Sequence, residues 1–208
     1  MKKGRNCKIS KKSVIENSVV IGDNVKIYDD VYILGKSVIK NGAIIYPSSE
    51  ITDSEIGEDS IIKHSVISDS IIGKNNHIGP FSHIRPNSET GKNVKIGSFV
   101  EIKNSYLDEG VKANHLAYVG DSYIGKKVNI GCGVVFVNYN GKIKQRSYVD
   151  DEAFIGSNCN IIAPVKIGKK AYICAGTTID KDVKDGAFVI GRVRQEVKEN
   201  LSKKYLDK

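Results

Sequence analysis

The 208-residue sequence has no tryptophan, one methionine, four prolines and four cysteines, and aromatic residues make up 7% of it. With 40% hydrophobic residues and so few aromatics, its core must be aliphatic. It contains no unbroken apolar run near eighteen residues, which excludes a membrane-spanning helix. The opening MKKGRNCKIS is charged but has no apolar stretch behind it, so it does not read as a secretory signal, and the expectation is a cytoplasmic protein. Cys7, Cys132, Cys159 and Cys174 show no CxxC spacing, which argues against structural zinc or a redox dithiol and for free thiols in a reducing compartment. The net charge of +8 is spread along the chain with acidic residues between the basic ones, a pattern better suited to small anions than to nucleic acid. Only the stretch 198–208, with four lysines, is dense enough to count as a basic patch.

What the sequence has instead is a ruler. Ile9, Ile15, Ile21, Ile27, Ile33, Ile39, Ile45 and Ile51 are six apart, and a small or β-branched residue follows four places after most of them. The ruler restarts at Ile56, Ile62 and Ser68, again at Ile72, at Leu107 and at Ile124, and closes with Val149, Ile155, Ile161, Ile167, Ile173 and Ile179, about 29 hexads in all. A helix would repeat at three and four and an isolated strand at two, so a period of six fits neither. It fits short strands joined by tight corners, where Gly, Asn and Asp supply left-handed backbone. The expected fold is all-β, a parallel β-helix of hexapeptide repeats, with about three hexads per coil and nine or ten coils. Stacked coils lie about 4.8 Å apart, and each inward aliphatic side chain contributes roughly 1.5 to 3 kcal/mol.

The exceptions to the ruler should carry function. Between Phe136 and Val149 the spacing is thirteen, which expels a polar, basic loop over 137–148. The repeats end near 184, and residues 185–208 form a tail in which Val193, Val197, Leu201 and Tyr205 fall at helical spacing, predicting a short C-terminal helix packed over the last coil. Outward positions in the middle of the chain carry Lys103, His115, Tyr118, Asn129, Asn138 and Tyr139, groups suited to a polar, anionic substrate. His115 is the best catalytic candidate, because an imidazole with a reference pKa near 6.5 can take a proton from an amine at neutral pH. His64, His77 and His83 read as solvated or packed side chains.

The strings IGPFSHIRP (78–86), GSFVEIKN (97–104), ANHLAYVGD (113–121), VNIGCG (128–133), VNYNGK (137–142), FIGSN (154–158), IAPV (162–165), AGTTI (175–179) and GRVRQ (191–195) resemble, in order and spacing, the acetyltransferase half of the bifunctional bacterial enzymes that make UDP-N-acetylglucosamine. The resemblance spans nearly the whole chain and is strongest from Ile72 onward. It implies a left-handed coil, a hand that parallel crossovers otherwise rarely take. It implies a homotrimer and acetyl transfer from acetyl-CoA to glucosamine 1-phosphate, with no metal required. His115 would be the general base. Asn138 and Tyr139 would line the reaction centre, with Asn138, Ser157 or backbone amides as donors to the oxyanion. Arg85 and Lys103 would hold the sugar phosphate, and Tyr118, Asn129 and Lys144 would complete the sugar site, Lys144 reaching in from a neighbouring subunit. Cys132, Ser157 and Ala175 would contact acetyl-CoA, and Arg192 and Lys198 its phosphates.

The chain departs from that pattern at Asn140, where aspartate is usual, and at Cys132 and Cys174, where alanine is usual. The nucleotidyltransferase half has no counterpart in the sequence, so no nucleotidyltransferase activity is expected of this chain, and a separate protein would supply that step. Two rival readings stand beside the main one. They are the same chemistry on a nucleotide-linked amino sugar, and a non-catalytic β-helix acting as scaffold or regulatory subunit of a separate nucleotidyltransferase.

Overall fold

A computed structural model describes residues 2–206. The described chain winds through ten coils, each contributing one short strand to each of three faces, and begins an eleventh on the second face. The first face is a ten-stranded parallel sheet running from Lys2–Lys3 to Lys166–Ile167. The second face runs from Lys8–Ile9 to Phe188–Val189, and the third from Val14–Ile15 to Thr178–Ile179. Strands Lys95–Lys103 and Lys112–Gly120 turn from the second face onto the third without a break, which joins those faces into one hydrogen-bonded sheet. Val20 pairs with Val38 and Val38 with Glu55, so a coil takes about 17 or 18 residues. Pairing is in register at every rung, so inward residues stack on inward residues, as in Ile33, Ile51, Ile67 and Ile84, all fully buried.

The ladder corrects one rung of the sequence reading. Ser68 is only half-buried, whereas Ile67 is fully buried and pairs with Ile51 and Ile84. The corner between Ile62 and Ile67 is therefore one residue short, and His64 turns it with φ +41°. The other short steps, Ile51 to Ile56, Ile67 to Ile72, Ile102 to Leu107 and Val119 to Ile124, all lie where the third face meets the first. Asp53, Asp69, Asn104 and Asp121 turn those corners with φ between +44° and +47°. A column of buried serines fills the same edge. Ser54 N donates to Ser37 Oγ at 3.3 Å, Ser70 N to Ser54 Oγ at 3.1 Å, and Ser122 N to Ser105 Oγ at 3.0 Å. Small hydroxyls there let the chain turn tightly while its backbone donors stay satisfied.

The long excursion leaves from this edge as well. The strand Val135–Val137 ends on the third face and Ser147–Val149 begins on the first, so the loop occupies 138–146. Beyond Thr178–Ile179 the coil is not finished, because Phe188–Val189 still pairs with Tyr172–Ile173. The tail carries the expected short helix but departs from expectation in its packing. Its helix is confined to Lys203–Leu206, and Val193, Val197 and Tyr205 are exposed, so it does not pack over the last coil. Four residues bury too little apolar surface to hold a longer helix in place. No described helix is long and apolar enough to cross a membrane.

Candidate active site

Two edges of the prism carry the predicted residues. The first is the corner between the second and third faces. The inward rungs Ala113, Ile130, Ile155 and Ile173 pair in sequence, which puts the residues two places later, His115, Cys132, Ser157 and Ala175, in one column. Backbone bonds hold that column together. Gly133 N donates to Leu116 O at 2.7 Å, Asn158 N to Cys132 O at 2.7 Å, and Gly176 N to Ser157 O at 2.8 Å. With coils about 4.8 Å apart, His115 and Ala175 are about 14 Å apart along the edge. Arg192 caps its far end, donating from Nη1 to Ala175 O at 3.0 Å, and lines a cleft of about 620 Å³ with Ile190, Val193, Arg194 and Gln195. The general base and four acetyl-CoA contacts named from sequence therefore form a single line. Lys198 is not held to it, since it lies in the exposed tail and pairs with Glu196 at 3.6 Å.

The corner that presents His115 is strained. Leu116 sits at φ +36° and is 59% exposed, and Phe99 and Phe81, one and two coils earlier, sit at φ +59° with stacked rings 5.6 Å apart. Bulky residues with positive φ cost on the order of 1 to 3 kcal/mol each and persist only where the surroundings impose them. The same corner position is taken by His64 before them, at φ +41°, and by Gly133, Asn158 and Gly176 after them, so the bulkiest residues at this corner are those of the coils around His115.

The second group lies on the third face and its far edge. Arg85 and Lys103 stack there in adjacent coils, and Arg85 Nη1 binds Glu101 Oε1 at 2.6 Å. Lys144 lies beside Lys103 within the same chain. The close approach of the Lys144 ammonium, then desolvation, then the charges of Lys144 and Arg85 push the Lys103 pKa below the ordinary lysine value, while Asp121 opposes the shift. Three cations crowded against two carboxylates leave the cluster net positive, and an anion relieves that repulsion.

Tyr118 and Asn138 close over the next position in this column, which is Gly120. A Cβ on Gly120 would lie 2.6 Å from Tyr118 Cζ and 2.8 Å from Asn138 Nδ2, so only glycine lets these side chains close over the face. Asn138 Nδ2 approaches Tyr118 Oη at 3.3 Å and donates to the buried carboxylate of Asp121. Tyr139 is exposed, donates from Oη to Gly141 O at 2.7 Å, and forms an antiparallel bridge with Lys144 that folds the loop back on itself. Asn140 closes that fold, because its Oδ1 accepts from Lys142 N and Ile143 N, both at 3.0 Å. An aspartate would accept the same two bonds, which accounts physically for the exchange at this position.

Asn129 is not brought into either group. It lies on the second face, paired with Lys112 and Phe154. Sequence reading passed over Gly120, Asp121 and Glu101. Asp121 stands where other coils place a corner Asp or Asn, so its second role leaves no signal in the pattern. No group of three or more potential metal ligands occurs among the described residues.

Comparison with known proteins places this arrangement. The model of the bacterial transferase hexapeptide (six repeats) matches residues 69–104. A protein named "Bifunctional protein GlmU" from Clostridioides difficile is 51% identical over 190 residues, 91% of this chain and 41% of that protein. Its namesake from Carboxydothermus hydrogenoformans is 47% identical over 189 residues, 91% of this chain and 42% of that protein. The chain thus spans about two-fifths of the length of these curated relatives. Among solved structures, an Arabidopsis UDP-N-acetylglucosamine acyltransferase superposes with a TM-score of 0.57 at 19% identity, covering 85% of this chain and 69% of that one. The coil is a left-handed β-helix.

Proposed function

We propose, from the premise that this chain is a left-handed hexapeptide-repeat β-helix homologous to the acetyltransferase half of the bifunctional GlmU proteins, that it transfers an acetyl group from acetyl-CoA to the amine of glucosamine 1-phosphate. The observation that carries this reading is the single column from His115 through Cys132 and Ser157 to Ala175 and Arg192, beside a separate cationic cluster of Arg85, Lys103 and Lys144. An acyl-CoA extended along the edge would place its phosphates near Arg192 and its thioester near His115. The cation cluster would hold the phosphate of an amino sugar.

In this reading the neutral amine attacks the thioester carbonyl, a C–N bond forms, the C–S bond breaks, and His115 takes the proton the amine loses. The departing CoA thiolate then takes a proton. General-base catalysis of this kind is worth about 10² to 10⁴ in rate. Asn129 faces away from the cation cluster on another side of the prism, which favours sites completed where copies of the chain pack side by side, as in the homotrimer the resemblance implies.

The test is thiol release from acetyl-CoA by the purified chain with glucosamine 1-phosphate, glucosamine 6-phosphate and UDP-linked amino sugars in parallel. Release with glucosamine 1-phosphate alone is expected. Release with a nucleotide-linked sugar alone would move the assignment to that acceptor, and binding of acetyl-CoA with no release on any acceptor would favour a scaffold or regulatory subunit.

A further inference from the structure

Asp121 turns a corner like its counterparts Asp53 and Asp69, but where Asp53 accepts a backbone bond from Lys36 N at 2.8 Å, both carboxylate oxygens of Asp121 are taken by side-chain amides. It is 7% exposed, and each oxygen accepts from a different coil: Oδ1 from Asn104 Nδ2 before it and Oδ2 from Asn138 Nδ2 after it. Its backbone takes part as well, since Asp121 N donates to Lys103 O at 3.0 Å and Asp121 O accepts from Ser147 N at 3.2 Å. Asn138 is the first residue of the expelled loop and Ser147 the first after it, so Asp121 ties down both feet of the loop that carries Lys144.

An ionised carboxylate only accepts, so an amide facing it must present its NH₂ group. The Asn138 amide is thereby fixed in one of its two orientations, with Nδ2 turned to Asp121 and 3.3 Å from Tyr118 Oη. Its remaining polar atom, Oδ1, is an acceptor. Such an amide suits a substrate N–H and not an oxyanion, so donors to the oxyanion come from elsewhere, with the exposed Ser157 hydroxyl in the His115 column one such group.

We propose that Asp121 is a positioning residue, fixing Asn138 so that its Oδ1 meets the acceptor's amine as a hydrogen-bond acceptor and anchoring the loop that brings Lys144 to Lys103. The part of this that concerns the acceptor rests on the acetyltransferase reading above. The holding of Asn138 does not.

The experiment compares wild type, Asp121→Asn and Asp121→Asn/Asn138→Asp. An amide at 121 can face Asn138 with either end, so the single variant frees the orientation. It is expected to lower kcat about 10- to 100-fold while KM for acetyl-CoA stays within twofold. Loss of the carboxylate near Lys103 should also move the alkaline limb of kcat/KM for glucosamine 1-phosphate to lower pH. The double variant restores an amide–carboxylate pair and should recover melting temperature without recovering kcat. Separately, NMR should find slowly exchanging Asn138 Nδ2 protons in wild type and fast exchange in Asp121→Asn.

A single variant with kcat within twofold and an unmoved alkaline limb, whatever its melting temperature, overturns the role. Fast Nδ2 exchange in wild type overturns the holding of Asn138 itself. If wild type releases no thiol with any acceptor, the acetyltransferase reading falls while the exchange measurement still decides whether Asp121 holds Asn138.

Discussion

Gly120→Ala adds one methyl group at the point where the third face is most crowded. That Cβ would lie 2.6 Å from Tyr118 Cζ and 2.8 Å from Asn138 Nδ2, well inside contact distance. Because Gly120 is part of the paired strand Lys112–Gly120 and is buried, the backbone has little room to yield, and the phenol and the amide must move. Overpacking of this kind costs about 1 to 3 kcal/mol. At roughly 2 to 4 °C per kcal/mol for a chain of this size, the melting temperature should fall by about 2 to 12 °C, leaving a folded protein. The effect on turnover should be larger, because a displacement of about 1 Å in positioning groups can cost about 100-fold in rate. The assay is thiol release at saturating acetyl-CoA with glucosamine 1-phosphate varied, alongside a thermal melt. A loss near 100-fold in kcat/KM with a modest drop in melting temperature is expected. Activity within threefold of wild type, in a protein whose melt has shifted, would refute the argument that Tyr118 and Asn138 organise the site.

Because Lys103 has a depressed pKa, its charge is lost at lower pH than the ordinary lysine value of 10.5, so kcat/KM for the sugar phosphate should fall as pH rises through that depressed value. In the unliganded chain the native state binds fewer protons than the unfolded state in that same window, so its contribution to stability rises with pH up to 10.5. Lys144→Ala removes the largest cause of the depression and should move the alkaline limb to higher pH, read from pH–rate profiles of the two proteins. Arg192→Ala should raise KM for acetyl-CoA about 10- to 100-fold, the value of a charge-assisted hydrogen bond of roughly 1.5 to 3 kcal/mol, and leave KM for the acceptor unchanged. Urea unfolding should show Ile67→Ala losing about 2 to 5 kcal/mol as a fully buried rung, and Ser68→Ala losing less than about 0.5 kcal/mol.

The fold is legible in the sequence because a coil that repeats its cross-section repeats its residue requirements. An aliphatic side chain must point inward once per strand, so the spacing of isoleucines alone gives the coil count and the strand length. The spacing misassigns the Ser68 rung because the corners at His64 and Asp69 are each one residue short, and a six-residue ruler registers only their sum, as the restart at Ile72 four places after Ser68. The tail's helix is legible but its packing is not, since helical spacing of Val193, Val197, Leu201 and Tyr205 carries no information about whether a surface is there to cover them.

The site divides in the same way. His115, Cys132, Ser157 and Ala175 are named by resemblance, and the register of inward rungs sets them in one column. The cation cluster is different. Arg85, Lys103 and Lys144 are far apart in the chain, and Lys144 reaches Lys103 only because the loop folds back through the Tyr139 bridge and the Asn140 turn. Asp121 and Gly120 are invisible to pattern reading, one looking like any corner and the other like any glycine, and what sets them apart is the side chains that neighbouring coils place against them.

The central claim is that His115 removes the amine proton at the end of an acyl-CoA edge. The measurement that tests it most directly is steady-state thiol release by His115→Ala against wild type, with acetyl-CoA binding followed in parallel by titration calorimetry. The account predicts a loss of about 10² to 10⁴ in kcat with the acetyl-CoA dissociation constant changed less than about threefold. Turnover within tenfold of wild type with binding intact would contradict it.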